Sequence, residues 1–199
     1  MGPCFSRPLG PLGPVLVTYM RHKPDAYFMG FQFGGVTVAY IATLFGVPER
    51  CVIEVIATQG EKKRLLIFID ENGEQRVGCY NGFSNGMRPP PGTYCVIYKL
   101  PAAFHGTNME NLDSIFKNGL SKDKRDGVHM AINPKAVAGF RPGSDLIVRV
   151  DIEQMRLDGY KVYALDNGVI MFYGDIPSKY LTFWDKNDEQ VFIFVFGDD

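Results

Sequence analysis

The chain lacks any pattern that would mark a metal centre. Its four cysteines, at positions 4, 51, 79 and 95, form no Cys-x-x-Cys pair, and its three histidines, His22, His105 and His129, lie far apart. A zinc site is therefore not expected, and no metal is assigned. A secretory signal pattern is missing as well, which points to an intracellular protein, cytoplasmic or nuclear, whose free thiols act as small hydrophobes. The longest apolar run near the C-terminus, Val191 to Phe196, is far short of the roughly 20 residues that cross a bilayer. No membrane partner follows. An excess of one charge is equally absent: the formal net charge is -1, so any nucleic-acid contact must rest on a local cluster of cations. What is present is a composition of 46% hydrophobic and 22% charged residues over 199 positions, enough to bury a core as one large domain or two small lobes, expected as a monomer.

Residues 2 to 14 (GPCFSRPLGPLGP) show neither helical nor strand periodicity, so 1–14 is expected to be a flexible leader outside the fold. A first small lobe is expected over 15–84. It opens on an apolar start (VLVTYM), continues with helical stretches from Val36 to Phe45 and from Pro48 to Ala57, and ends in LLIFID and EQRVGCY joined through Glu71-Asn72-Gly73. Asn-Gly between two apolar runs signals a hairpin, so helices followed by a two-stranded wing give a winged-helix outline. The Pro/Gly-rich stretch 85–92 (NGMRPPPG) is the expected linker, because three successive prolines fit neither a helix nor a central strand. The second lobe, 93–199, alternates short β-rich runs (YCVIYKL, VHMAI, DLIVRVD, KVYAL, NGVIMFY, VFIFVF) with one helix, Asn108 to Asn118, capped by Asn108 and stopped by a left-handed Gly119. Many strands and few helices predict an α+β fold with a mostly antiparallel sheet in the second lobe.

Four places can carry chemistry. Arg21-His22-Lys23-Pro24 is a dense cationic group that suits an anion; as a plain helix end it suits the carboxyl-terminal dipole equally well. Lys62-Lys63-Arg64 precedes a strand, and such charge runs are commonly solvated. His105-Gly106-Thr107 ends a strand just before the predicted helix. Glycine there admits a ligand to the backbone, histidine can bond a sugar hydroxyl, and the helix start offers N–H groups to a phosphate; a core histidine beside a turn is the plainer reading. Arg125 and His129 stand in a loop-to-strand segment, with Arg141 in a later loop. A guanidinium offers a planar fork to phosphate oxygens, and a surface ion pair with Asp123 or Asp126 is the alternative.

Taken together and in order, these pieces resemble the RNA 2'-phosphotransferase family, the tRNA splicing 2'-phosphotransferases. The likeness runs through RHKP (21 to 24), KKR (62 to 64), HGT (105 to 107), IFKNGL (115 to 120), RDGVHMA (125 to 131), GFR (139 to 141), VDIEQMRLDG (150 to 159) and NGVIMFYGDIPSKYL (167 to 181). The resemblance implies a second lobe of ADP-ribosyltransferase-like fold. It implies that Arg21, His22, Arg64 and Arg125 gather around an internal 2'-phosphate of spliced RNA, a tRNA by the family pattern. It also implies that NAD lies near His105, Gly106, Thr107 and His129, with Arg141 as a further contact. The implied reaction has two steps: the RNA 2'-phosphate attacks the anomeric carbon of NAD's nicotinamide ribose and expels nicotinamide. The ribose 2''-hydroxyl then attacks phosphorus and releases RNA 2'-hydroxyl with ADP-ribose 1'',2''-cyclic phosphate.

The chain departs from the family in two places. The pattern R-A-x-x-GHS after the wing reads RVGCYNGFS, with Phe83 where histidine is usual, and the GW-V signature is reduced to Gly35-Val36. A phenylalanine bonds no phosphate; it can stack on a base or pack. Two further readings stay open beside the main one: an ADP-ribosyltransferase that stops after the first step on a terminal nucleic-acid phosphate or a protein, and a non-catalytic RNA- or NAD-binding module.

Overall fold

The computed structural model describes residues 12–23, 35–84, 89–90, 92–136, 141, 143–185 and 187. The chain divides into two compact units, one of residues 1–94 with Lys124–Asp126, the other of Cys95–Asp123 with 127–199. Residues 1–11 of the expected leader, residues 85–88 and 91 of the expected linker and the VFIFVF run lie outside the described residues.

In the first unit, helix α1 (Leu12–His22) begins three residues inside the expected leader. Its apolar stripe explains this: Leu16, Val17, Tyr19 and Met20 are buried on one side, while Pro14 sits in the first turn, where no intrahelical N–H is needed. Gly35–Thr37 is a strand, β1, rather than the start of a helix. Thr37 is the switch, because its hydroxyl accepts the Tyr40 N–H at 3.2 Å and caps helix α2 (Val38–Phe45). Gly46, at φ 63°, ends α2, and α3 (Glu49–Ala57) follows Pro48. Strands β2 (Leu65–Ile69) and β3 (Gln75–Cys79) form the hairpin that Asn72-Gly73 predicts. Asp70 Oδ1 accepts the Asn72 and Glu74 N–H groups at 2.9 Å each, and Gly73 turns at φ 82°. The expected two-stranded wing is a three-stranded sheet, β1-β3-β2, since β1 pairs along the far edge of β3. Arg76, 3% exposed, ties the hairpin together, donating Nε to Asp70 at 2.6 Å, Nη2 to Glu74 at 3.1 Å and Nη1 to the Gly35 carbonyl at 3.2 Å. Leu16, Met20, Val36, Ile41, Val52, Leu65, Val77 and Phe83 fill the core beneath.

The second unit is built on a seven-stranded antiparallel sheet. Its strands are β4 (Tyr94–Val96), β5 (Ala102–Thr107), β6 (Val128–Ala131), β7 (Leu146–Asp151), β8 (Tyr163–Leu165), β9 (Val169–Phe172) and β10 (Leu181–Asp185), in the order β10-β7-β5-β6-β9-β8-β4. The predicted helix is split: a 3₁₀ turn, Met109–Asn111, leads into α4, Leu112–Asn118. Asn108 makes no capping bond; the Met109 N–H instead donates to Asp145 at 2.7 Å. Gly119 has positive φ, 83°, but its ψ of -174° is extended and not left-handed helical. Glycine is required there because a β-carbon would stand 2.1 Å from the Ile176 carbonyl oxygen. A second short helix, α5 (Ile152–Leu157), starts where Asp151 accepts the Gln154 N–H. Ala103, Met130, Val148, Val150, Ile152 and Met155 form the core of this unit.

Candidate functional site

Three sequence-distant segments of the first unit bring cations together. Arg21 and His22 occupy the last turn of α1, where the helix carbonyls favour positive charge. The loop after β3 folds back on that turn: the Ser84 N–H donates to the Arg21 carbonyl at 2.8 Å, and the Tyr80 N–H to the Arg64 carbonyl at 3.2 Å. This loop therefore ties the backbones of both arginines. Its side chains do the rest. Arg21 Nη2 donates to Asn81 Oδ1 at 2.9 Å, and His22 Nδ1 lies 2.8 Å from Ser84 Oγ.

Electrostatics in this cluster run against the usual preference for charge neutralisation. Burial lowers the Arg21 guanidinium from its ordinary pKa, and the Arg64 cation pushes the same way, while Cys79 and Asp126 oppose. Lys62 is lowered too, by desolvation and by Arg64 and Arg21 together. Arginine keeps its charge under such pressure, with the Asp126 carboxylate as one nearby counter-charge. Arg21 Nε is buried with no hydrogen-bond partner among the described residues. Cys79 beside it is pushed up to about 12 by burial and stays a neutral thiol.

All four residues of the expected tetrad belong to this unit, because Lys124–Asp126 groups with it despite lying late in the sequence. Arg125 is exposed, as are His22 and Arg64. Phe83 is 2% exposed and packs in the unit's core. Packing, and not base stacking, is thus what replaced the usual histidine. Sequence reading kept Gly82 and Ser84 as survivors of the family's GHS pattern but missed Asn81 and Gln59, since nothing in their neighbourhoods signals contact with residues far away, and it left Lys62 as a solvated charge.

In the second unit, His105 lies on β5 and His129 on the adjacent β6. His105 Nδ1 donates to the His129 carbonyl at 2.8 Å, which puts a proton on Nδ1. Gly106 and Thr107 are buried at the end of β5, and Thr107 Oγ1 accepts from Asn111 Nδ2 at 3.2 Å. The expectation that the helix start after Thr107 offers N–H groups to a phosphate is corrected at Met109, whose N–H is taken by the Asp145 carboxylate. Arg141 is exposed, with its carbonyl accepting the Ser144 hydroxyl at 2.7 Å. His105, Gly106, Thr107 and His129 thus sit within one sheet, and Arg141 lies in a loop apart from them in sequence. Among the described residues, no three His, Cys, Asp or Glu side chains cluster to hold a metal, and no helix is long and apolar enough to cross a membrane.

A family model described as RNA 2'-phosphotransferase, Tpt1 / KptA family, matches residues 46–174. A Probable RNA 2'-phosphotransferase of Rhizobium leguminosarum bv. trifolii is 40% identical over 174 residues, covering 82% of this chain and 88% of its own. A protein of the same name from Fusobacterium nucleatum is 35% identical over 185 residues, covering 86% and 97%. One from Rhizobium johnstonii is 29% identical over 179 residues, covering 82% and 88%.

Proposed function

Because this chain belongs to the RNA 2'-phosphotransferase, Tpt1 / KptA family, enzymes that remove a splice-junction 2'-phosphate from RNA in an NAD-dependent reaction, we propose that Arg21, His22, Arg64 and Arg125 are the residues that hold and activate that phosphate. The first unit is read as a winged-helix-like RNA lobe over 15–84 and the second as an ADP-ribosyltransferase-like NAD lobe. The observation that carries the assignment is the buried Nε of Arg21, which has no hydrogen-bond partner among the described residues and feels the Arg64 cation, with the Cys79 thiol and the Asp126 carboxylate as the opposing influences. A desolvated donor beside a second cation is unfavourable alone and is satisfied by a doubly charged oxyanion.

The chemistry follows from that arrangement. NAD supplies an electrophilic anomeric carbon with nicotinamide as its leaving group. Arg21, locked through Nη2 to Asn81, presents its remaining edge in a fixed direction and needs no reorganisation when the phosphate arrives. His22, held through Nδ1 by Ser84, adds a ring nitrogen to the same cationic group. Arg64 and Arg125 spread the charge as phosphorus changes partners, so the scheme assigns that charge to guanidinium groups and to no metal. In the NAD lobe, His105 Nε2 accepts from a ribose hydroxyl, Gly106 and Thr107 allow close backbone approach, His129 borders the same strands, and Arg141 meets the pyrophosphate charge.

The test mixes protein, NAD and an oligonucleotide carrying one internal 2'-phosphate, and follows nicotinamide release and phosphate loss. Replacing Arg21 or Arg125 with alanine is expected to reduce turnover by roughly 10² to 10³-fold, the cost of removing one preorganised donor. Undiminished turnover in both variants overturns the assignment. Accumulation of an ADP-ribosylated RNA in the native protein would instead favour a one-step transferase.

A further inference from the structure

The first unit carries an open cleft of about 350 Å³, lined by Arg64 alone of the four tetrad residues. Among the residues lining it are Pro14 and Val17 from α1, Val55 from α3, and Gln59, Lys62 and Arg64 from the segment leading into β2. Its size suits a small ligand or one residue of a polymer. Among the described residues no carboxylate lines it, and neither Lys62 nor Arg64 forms an ion pair. Gln59 cannot serve a ligand either, because its carboxamide is fully used: Oε1 accepts the Arg64 and Leu65 N–H groups at 2.8 Å each, while Nε2 donates to Ile56 O at 2.9 Å and Leu65 O at 2.8 Å. What the cavity offers is therefore apolar surface together with two unneutralised cations. Lys62 is also under pressure from Arg64 and Arg21, which an anion would relieve.

We propose that this cavity is an RNA subsite, in which Lys62 binds the phosphodiester of a nucleotide flanking the 2'-phosphorylated one while its base rests against Pro14 and Val17. A positively charged groove that tracks the backbone is how single-stranded RNA is held without sequence preference, and the aliphatic surface here offers a base contact in place of an aromatic stack. Arg64 belongs both to this cavity and to the proposed tetrad, so an RNA strand bound at the tetrad has its continuation within reach of Lys62. The inference rests on the tetrad reading given above and adds a residue that reading does not use.

The experiment compares native protein with Lys62→Gln and Lys62→Arg, using a short oligoribonucleotide with one internal 2'-phosphate and, in turn, versions in which a single flanking linkage on either side is a neutral methylphosphonate. Lys62 is exposed, so the substitutions leave the core untouched. With the charged oligonucleotide, Lys62→Gln is expected to raise KM about tenfold, the scale of one lost charge-assisted contact, with the change falling on KM and not kcat. Lys62→Arg is expected to restore it. Neutralising one flanking linkage should cost the native protein a similar factor and cost Lys62→Gln nothing more. If the penalties of Lys62→Gln and of every neutral linkage simply multiply, or if Lys62→Gln matches native protein throughout, the subsite is wrong while the tetrad stands. If native protein releases no phosphate from the charged oligonucleotide, the tetrad reading itself has failed.

Discussion

The guanidinium of Arg21 rests against Gly82, so closely that a β-carbon at position 82 would lie 3.0 Å from Arg21 Cζ and 3.1 Å from Nε. Gly82 also turns at φ 82°, a conformation that side chains rarely adopt. Gly82→Ala is therefore expected to displace the guanidinium proposed to meet the 2'-phosphate and to strain the loop by about 1–2 kcal/mol. Turnover should fall at least about tenfold while the fold persists, as read by steady-state kinetics alongside urea unfolding. Unchanged kinetics would mean that the guanidinium has room to move aside.

Gln59 holds the segment that carries Arg64 through the four hydrogen bonds described above. Gln59→Leu removes them all and is expected to cost about 2–3 kcal/mol of stability and to slow turnover, because the Arg64 backbone loses its anchor. Gln59→Glu keeps the two accepting contacts and should fall between leucine and native in both measurements. A kinetic defect that does not track this order would detach Gln59 from Arg64 placement.

Phe83 stands where the resembled pattern has histidine, and a histidine there is not expected to help. The site is 2% exposed among Leu16, Met20 and Cys79. Phe83→His exchanges apolar volume for ring nitrogens without built partners, and should lower stability by about 2–4 kcal/mol with no gain in turnover. Faster turnover in a stable variant would show that the loop can present position 83 outward.

The second unit has an acid-sensitive lock. Asp158 accepts from Lys179 Nζ at 2.8 Å, Tyr180 OH at 2.5 Å and Gln154 Nε2 at 2.9 Å, and these bonds, Lys179 first, hold its pKa at about 2. An unfolded aspartate titrates near about 3.9. The folded value is the lower one, so the stabilisation is complete above about pH 4 and disappears as pH falls through about 2. Native protein should lose stability across that window, and Asp158→Asn should show a flatter dependence in acid-unfolding curves followed by circular dichroism.

Much of this was legible in the residues. The hairpin declared itself through Asn72-Gly73, and the α+β class through many short β-rich runs. The motif order gave the family. What escaped depended on distance along the chain. Val36 was read as helical because apolar spacing alone cannot show that β3 offers a free edge to Gly35–Thr37. Asn108 has the chemistry of a cap, yet Asp145 performs the task from 36 residues away. Asn81 and Gly82 look like ordinary turn residues until Arg21 is placed against them. Lys62 lies in a run of charge whose usual fate is solvation, and only the fold shows which other cations it faces.

The placement of Lys124–Asp126 with residues 1–94 bears on how such a protein can change over time. A gene fusion joined after Tyr94 would inherit Arg21, His22 and Arg64 from one parent and take Arg125 from the other. Shuffling the halves among relatives would thus draw the four residues proposed to hold one phosphate from two lineages, and the segment Lys124–Asp126 would have to suit a unit it did not evolve with.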